Sequence, residues 1–231
     1  MSPLDFSILL RGDYPGMIAK GLVTMLELTA LAWLLAMALG IVLALVRMTH
    51  SRLAQLLVAA WVEYHQNVPM LVQIFLWYFG IATLLPAGMQ QWVNRHGGEF
   101  VFATIAISLA MSAYVSEDLR GGIRAIAKSQ IEAARALGFT YLQSFWLVVL
   151  QQALRIALPT LVNHSVLLFK GTALAMTIGV AELTYATREI ESQSFKTVEV
   201  YLFTTVVYLG LSLLIMAGGS RIERHLRLPT R

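Results

Sequence analysis

Long apolar stretches separated by short polar segments dominate this chain of 231 residues. An apolar stretch of about 18 to 20 residues can cross a bilayer as a helix. Five stretches are near that length or beyond it, and Asn67 and Pro69 interrupt the second. We therefore predict an all-α polytopic membrane bundle of about five transmembrane helices, at roughly 17–46, 54–85, 100–115, 158–183 and 198–219.

The composition agrees with a membrane protein, because 58% of the residues are hydrophobic and only 13% are charged, against about 25% charged residues in soluble domains. The chain has no cysteine, and its histidines lack the spacing of metal-ligand motifs, so we predict no metal site. It also lacks the phosphate-binding motif G-x4-G-K-[ST] and any cluster of catalytic groups. We therefore expect no enzyme activity and no cofactor on this chain. Any energy that its function requires must be supplied by a source outside the chain.

The cations divide unequally between the segments that connect the predicted spans. Eleven arginines and lysines lie in one alternating set of segments and five in the other, while Lys170 lies inside a span. The positive-inside rule places the richer set in the cytoplasm, with the N-terminus outside and the C-terminus inside. The same rule accounts for the net charge of +4, so we predict no nucleic-acid partner.

One polar segment between two apolar stretches carries the sequence E-A-A-R-A-L-G at residues 132–138. Glu132, Ala133 and Ala134 favour helix, and Gly138 can end a helix by adopting a left-handed conformation. The pattern predicts a short helix on the cytoplasmic side, where it can dock onto a soluble partner. The alternative is an ordinary amphipathic helix with no partner.

The flanks of this segment extend the pattern to much of the chain. Taken together, these motifs resemble the permeases of bacterial ABC importers for polar amino acids, and the ending I-E-R-H-L-R-L-P is most similar to the glutamate/aspartate branch. The motifs are A-Y-V-S-E-D-L-R-G-G-I-R at 113–124, Q-A-L-R-I-A-L-P at 152–159, L-L-F-K-G-T-A-L at 167–174 and Q-N-V-P-M-L-V-Q at 66–73.

The resemblance implies a type I (MetI-like) importer architecture, with one transmembrane permease domain over residues 1–231 and a cytoplasmic coupling loop at about 116–157. It implies a second permease, preferably a related chain forming a heterodimer rather than an identical copy. It further implies a dimer of ATP-binding subunits that carry ATP and Mg, a periplasmic binding protein, and a location in the bacterial inner membrane, in contact with lipid. Glu132, Ala133, Ala134 and Gly138 would couple to the ATPase.

The same resemblance implies uptake of a polar amino acid. Glutamate or aspartate is the substrate we consider first, followed by glutamine or a basic amino acid. Two positions depart from the family pattern. Gln151 stands where a proline is usual, so we expect the helix to run on to Pro159, and Gln66 stands where an arginine is frequent.

Polar groups inside the predicted spans are candidates for the substrate pathway, because such groups are costly in a membrane. Asn67 and Pro69 can line a broken helix or form a structural kink. Lys170, with Thr172 beside it, is predicted to face the interior of the bundle and to pair with a substrate carboxylate or with Glu63. The alternatives for Lys170 are a fixed ion pair or a side chain that reaches the cytoplasmic surface.

Other polar residues are compatible with a transporter that is not driven by ATP. Glu27 and Glu63 could serve a proton-coupled secondary amino acid transporter, which would need no ATPase. We expect His65 and His164 to make hydrogen bonds inside the bundle. A group of charged residues on the predicted outer side could meet a soluble binding protein or form a solvated loop; its members are Glu182, Arg188, Glu189, Glu191, Lys196 and Glu199.

Overall fold

The computed structural model describes residues 4–49 and 51–226, and every regular element within those ranges is helical. The predicted all-α fold is confirmed. After a 3-10 turn at Phe6–Leu10, the helices are α1 (Tyr14–Arg47), α2 (Arg52–Asn67), α3 (Met70–Leu84), α4 (Ala87–Arg95), α5 (Gly98–Arg124), α6 (Lys128–Ala136), α7 (Tyr141–Ile178), α8 (Leu183–Ser194) and α9 (Thr197–Leu226).

Four of these helices, α1, α5, α7 and α9, are long and apolar enough to cross a membrane. Helices α2 and α3 meet at an angle of 107° and supply a fifth span if the pair counts as one. Pro69 explains the break, since proline donates no hydrogen bond and disfavours helical geometry in the residue before it. Val68 accordingly has an extended backbone, with φ −93° and ψ 127°. The predicted interruption of the second span is confirmed.

The predicted bounds of the fourth span, 158–183, are wrong at both ends. The helix α7 begins at Tyr141, continues through Gln151 and Pro159, and ends at Ile178. Polar residues near Gln151 interrupt the apolar pattern, so a prediction based on long apolar stretches missed the first half of this helix. Its last turns tighten to a 3-10 helix over Thr172–Ile178, and Gly179 then leaves helical geometry with φ +94°. The expectation that the helix runs on past Gln151 is confirmed.

Helix α5 forms the centre of the bundle, with α1, α2, α3 and α7 packed around it. Two thirds of its membrane window is buried (67%), against 11% for α9 at the periphery. Small residues allow the close contacts, because a side chain on Gly40 of α1 would collide with Val115 of α5. The most buried span is therefore the one that leads directly into α6.

Helices α6 and α8 lie at opposite ends of the bundle. The start of α1 packs against α8 through a cluster that contains Leu9 and Ile190. Beyond the other end of α1, the Met48 carbonyl accepts a hydrogen bond from the hydroxyl of Tyr141, which follows α6. At 1.5 Å per residue, the 34 residues of α1 separate these ends by roughly 50 Å.

Candidate functional site

The segment 125–140 contains the predicted short helix, α6, and its end has the geometry expected of Gly138. That glycine has φ +87° and follows the last helical turn. Its N–H donates to the Arg135 carbonyl at 3.0 Å, and the Phe139 N–H donates to the Ala134 carbonyl at 3.1 Å. This pair of bonds is the Schellman arrangement, which satisfies carbonyls at a helix end and favours glycine. The predicted helix and its left-handed glycine are confirmed.

The two alanines of the motif point in different directions. Ala134 is only 4% exposed, and its neighbour Ile131 packs against the cluster that contains Ile126 and Phe145. Glu132 and Ala133 are exposed. Of the two alanines expected to allow a close approach to a partner, Ala133 alone lies on the free surface, while Ala134 packs against its own chain.

An exposed apolar surface adjoins the free face of α6. Leu137 is 78% exposed at the end of the helix. Exposed hydrophobic side chains continue into the first turns of α7, at Leu142, Trp146 and Leu147. Contiguous exposed apolar residues beside a polar helix are typical of protein interfaces. This end of the bundle thus offers a polar helix and an apolar flank to a partner.

A capping box at residues 140–143 begins the long span that follows α6. Thr140 accepts a hydrogen bond from the Gln143 N–H at 3.2 Å, and the Gln143 side chain accepts one from the Thr140 N–H at 2.9 Å. Tyr141 then bonds to Met48 at the end of α1, at 2.8 Å. A displacement of α6 would therefore reach α1 and α7 directly.

The break in the second span is stabilised by side chains of its own. Gln73 donates to the Val68 carbonyl at 2.7 Å and to the His65 carbonyl at 3.1 Å. His65 Nδ1 lies 2.6 Å from Gln73 Oε1, so the predicted hydrogen bonding of His65 is confirmed. Asn67 donates to the carbonyl and to the carboxylate of Glu63, at 2.7 and 3.0 Å. Backbone groups freed by the proline are thereby satisfied, as a membrane requires.

The structure brings the second substrate-pathway motif close to this break. A Cβ atom on Gly171 would lie 2.9 Å from the sulfur of Met70, which follows Pro69. Thr172 is fully buried and donates to the Phe169 carbonyl at 2.7 Å. The residues around Pro69 and around Thr172 are therefore neighbours, although their hydroxyl and amide groups mainly satisfy their own helices.

Lys170 does not occupy the interior position predicted for it. Its side chain is exposed on the single subunit, and no ion pair with Glu63 occurs among the described residues. Glu63, Asn67, Pro69 and Glu27 are also exposed. The polar residues of the predicted pathway thus lie on the surface of the single subunit, where a charge facing lipid would be costly.

Partly buried polar clusters include groups that the sequence did not single out. His164 Nδ1 lies 2.6 Å from Asp118 Oδ2, which confirms the predicted hydrogen bonding of His164. Glu117 contacts Arg47 and Arg120 where α1 and α5 end together. Asp118 and Glu117 lie in the motif of residues 113–124, but the spacing along one helix could not show their partners on α1 and α7.

Glu182 was expected on a docking surface or a solvated loop, and that prediction is wrong. Its side chain is fully buried at the start of α8, as is nearly all of Glu199. Glu182 accepts bonds from the N–H groups of Thr184 and Tyr185, both at 2.9 Å, and from the Tyr208 hydroxyl at 3.0 Å. Burial raises the pKa of the Glu182 carboxyl, although these hydrogen bonds oppose the shift.

Comparison with known proteins shows the family. The model of the family described as "Binding-protein-dependent transport system inner membrane component" matches residues 36–228. The chain is 33% identical over 202 residues to the probable glutamine ABC transporter permease protein GlnM of Bacillus subtilis, covering 86% of this chain and 89% of that relative. It is 32% identical to the nopaline transport system permease protein NocM of Agrobacterium fabrum, covering 97% and 94%. It is 29% identical to the glutamate/aspartate import permease protein GltJ of Escherichia coli, covering 94% and 89%.

Solved structures give the same result. A crystal structure of an amino acid ABC transporter with histidines aligns with a TM-score of 0.81 and 29% identity, covering 96% of this chain and 99% of that one. An inward-facing methionine transporter, MetNI, aligns with a TM-score of 0.70 over 94% of this chain and 100% of that one, at 17% identity, which shows the fold alone. Since the family model covers most of the chain and its relatives match almost end to end, the chain belongs to the binding-protein-dependent transport system inner membrane components and is a multi-pass permease subunit of an amino acid ABC importer.

Proposed function

We propose that α6 is the coupling helix through which a separate dimer of ATP-binding subunits, carrying ATP and Mg, drives this permease. The free face of α6 carries this proposal, because Glu132, Ala133 and Leu137 are exposed together at one end of the bundle. Glu132 would meet cations of the ATPase, and Ala133 would let the two proteins approach closely. Movement of α6 would then pass to α7 through Thr140 and Tyr141.

The orientation follows from the distribution of cations. With the arginine-rich segments inside, the N-terminus lies outside and α6 lies in the cytoplasm, within a coupling loop at about 116–157. Residues 1–231 would form a single transmembrane domain, and a periplasmic binding protein would deliver substrate at the α8 end.

The second permease subunit is proposed to be a related chain. The exposed polar residues Lys170, Glu63 and Asn67 need such a cover in the membrane. Support for a heterodimer comes from one strain of Escherichia coli, in which two different relatives, GltJ and GltK, are both called glutamate/aspartate import permease proteins. The chain is 29% and 31% identical to them.

We propose that the substrate is a polar amino acid, with glutamate or aspartate first and glutamine or a basic amino acid behind. Lys170 supports an acidic substrate, because it is an exposed cation next to Gly171, which packs beside the broken second span. The test is uptake by the reconstituted transporter across a panel of amino acids, for the wild type and for Lys170→Gln. We expect about tenfold weaker apparent affinity for glutamate or aspartate in the variant. Uptake of glutamine alone, unchanged by the substitution, would refute the acidic assignment.

The test of coupling is a substitution that strains the end of α6. Gly138→Val places a β-branched residue at φ +87°, where such residues are strongly disfavoured. In liposomes that contain the whole transporter, we expect ATPase activity stimulated by the binding protein and amino acid uptake to fall at least about tenfold, because a displaced α6 cannot transmit the motion.

Gly12→Val is the matched control. Gly12 also has a positive φ, +50°, and has open space around it, as Gly138 does. It precedes α1, at the opposite end of the bundle, so the backbone strain is similar and the coupling helix is untouched. Normal uptake in Gly138→Val, or an equal loss in both variants that insert normally, would refute the coupling role.

A further inference from the structure

A small basic cavity lies at the α6 end of the bundle, between α1, α2 and α5. Its volume is about 240 Å³. Polar atoms in its lining come from Arg47 of α1, Gln55 of α2, and Arg120 and Arg124 of α5. Three of the residues that line this cavity therefore carry guanidinium groups.

The positive charge of this cavity is only partly neutralised by the protein. Glu117 lies 3.3 Å from the Arg47 guanidinium and accepts a hydrogen bond from Arg120 Nε at 2.7 Å. Glu117 thus contacts two of the three arginines, and Arg124 forms no ion pair within the described ranges, so the three guanidinium groups share a single carboxylate. The Nε atom of Arg47 and the Oε1 atom of Glu117 are both buried, and neither has a hydrogen-bond partner among the described residues, so the orphaned donor and acceptor belong to one ion pair. Uncompensated buried donors and charges are costly, so this arrangement favours a bound anion.

The surroundings of the cavity indicate where the anion comes from. The cavity opens where α1 and α5 end and α2 begins, which is the boundary between apolar spans and polar segments. The first turns of α2 expose Leu53, Leu56 and Leu57 on either side of Gln55. A basic pocket between transmembrane helices with adjoining apolar surface suits a phospholipid, whose phosphate enters the pocket while its acyl chains follow the leucines.

We propose that this cavity binds the phosphate group of an anionic phospholipid from the leaflet on the α6 side. Three arginines provide paired N–H groups that match phosphate oxygens. Met48 also lines the cavity, and its carbonyl holds Tyr141. Arg124 is the last residue of α5, shortly before α6. A lipid bound here would therefore join the ends of α1 and α5 to the segment that carries α6.

The test compares two arginine substitutions in the purified full-length chain. Native mass spectrometry in detergent would count retained phosphatidylglycerol and phosphatidylcholine for the wild type, Arg124→Gln and Arg155→Gln. Arg155 is the matched control, since it is also exposed, forms no ion pair with any described residue and lies outside the cavity. We expect one tightly held phosphatidylglycerol, bound about tenfold more weakly in Arg124→Gln alone.

A second variant has an effect of opposite sign. Glu117→Gln removes the carboxylate that contacts Arg47 and Arg120, so it should strengthen phosphatidylglycerol binding. A purely structural ion network would gain no affinity for an anion. Because Arg124 is exposed, Arg124→Gln should fold normally and remains informative even if Glu117→Gln does not fold.

Inorganic phosphate distinguishes the two possible sources of the anion. Thermal unfolding would be followed with phosphate or chloride at equal ionic strength. Stabilisation by phosphate that is lost in Arg124→Gln, without selective lipid retention, would support the anion site and assign it to free phosphate. Absence of both effects, or an equal loss of lipid in Arg124→Gln and Arg155→Gln, would overturn the proposal, because binding would then follow general surface charge.

Discussion

Helices α6 and α8 occupy similar positions along the chain but differ in how extensively the rest of the chain packs against them. Each is a short helix in a polar segment between two spans, and each is followed by a residue with positive φ, Gly138 at +87° and Phe195 at +55°. Yet Ala134 is the one buried residue of α6, whereas α8 buries four: Leu183, Ala186, Thr187 and Ile190.

The first turns of the two helices show the same difference. No side chain caps the start of α6. The buried Glu182 caps α8 by accepting hydrogen bonds from two backbone N–H groups. It accepts a third hydrogen bond from the hydroxyl of Tyr208 in α9. Helix α8 also packs against α1 and α9. The position of α8 is thus determined by its own chain, while most of the surface of α6 is exposed.

The largest expected effect separates the two glutamates of these helices. Glu182→Ala leaves two backbone N–H groups without their acceptor in a buried site, and the Tyr208 hydroxyl keeps only Thr184 as a partner. We expect a loss of about 3 kcal/mol in the free energy of unfolding. Glu132→Ala, on the exposed face of α6, should change stability by less than about 0.5 kcal/mol. Unfolding midpoints in detergent measure both.

These two variants should also differ in function. Glu132→Ala should retain its fold and lose ATPase stimulation, whereas Glu182→Ala should lose transport only as far as it loses folded protein. A stable Glu182→Ala variant would break the comparison, because α8 would then be no more firmly held than α6.

A smaller effect is expected from the adjacent alanines of α6. Ala134→Leu adds three carbons at a position that is 4% exposed, and overpacking of this kind costs about 1 to 3 kcal/mol. Ala133→Leu adds the same atoms on the exposed face and should leave the unfolding midpoint unchanged. In the assembled transporter we expect the opposite order for the coupling of ATP hydrolysis to uptake. Per folded molecule, Ala133→Leu should lose more of this coupling than Ala134→Leu. Equal stability of the two variants would show that Ala134 does not pack inward.

The sequence predicts α6 well because its signals are local. A helix-favouring run that ends in glycine specifies both the helix and its left-handed end, and Pro69 specifies the break between α2 and α3 in the same way. The role of Glu182 depends on Tyr208, which lies 26 residues further along the chain. The inward orientation of Ala134 depends on a surface that α5 and α7 build. Hydrophobic periodicity does not encode such tertiary contacts.

The exposure of Lys170 shows the same limit for a different reason. A cation inside a predicted span was expected to face inward, which is the rule for a complete membrane assembly. The single subunit leaves that cation exposed beside a break whose backbone groups are already satisfied by Gln73 and Asn67. The rule refers to the complete environment of a span, which one chain considered alone does not supply.

The smallest expected effect is a dependence of stability on pH that originates at the start of α8. Burial raises the pKa of Glu182, so the folded state favours the protonated carboxyl. The resulting stabilisation is complete below the ordinary glutamate pKa and is lost as the pH rises through the raised value. Comparison with Glu182→Gln isolates this contribution, since the amide does not titrate. The unfolding midpoint of the wild type minus that of Glu182→Gln should therefore decrease between pH 4.5 and pH 7. A difference that instead increases with pH would show that the hydrogen bonds to the Glu182 carboxylate outweigh its burial, and that the charged form holds α8 in place.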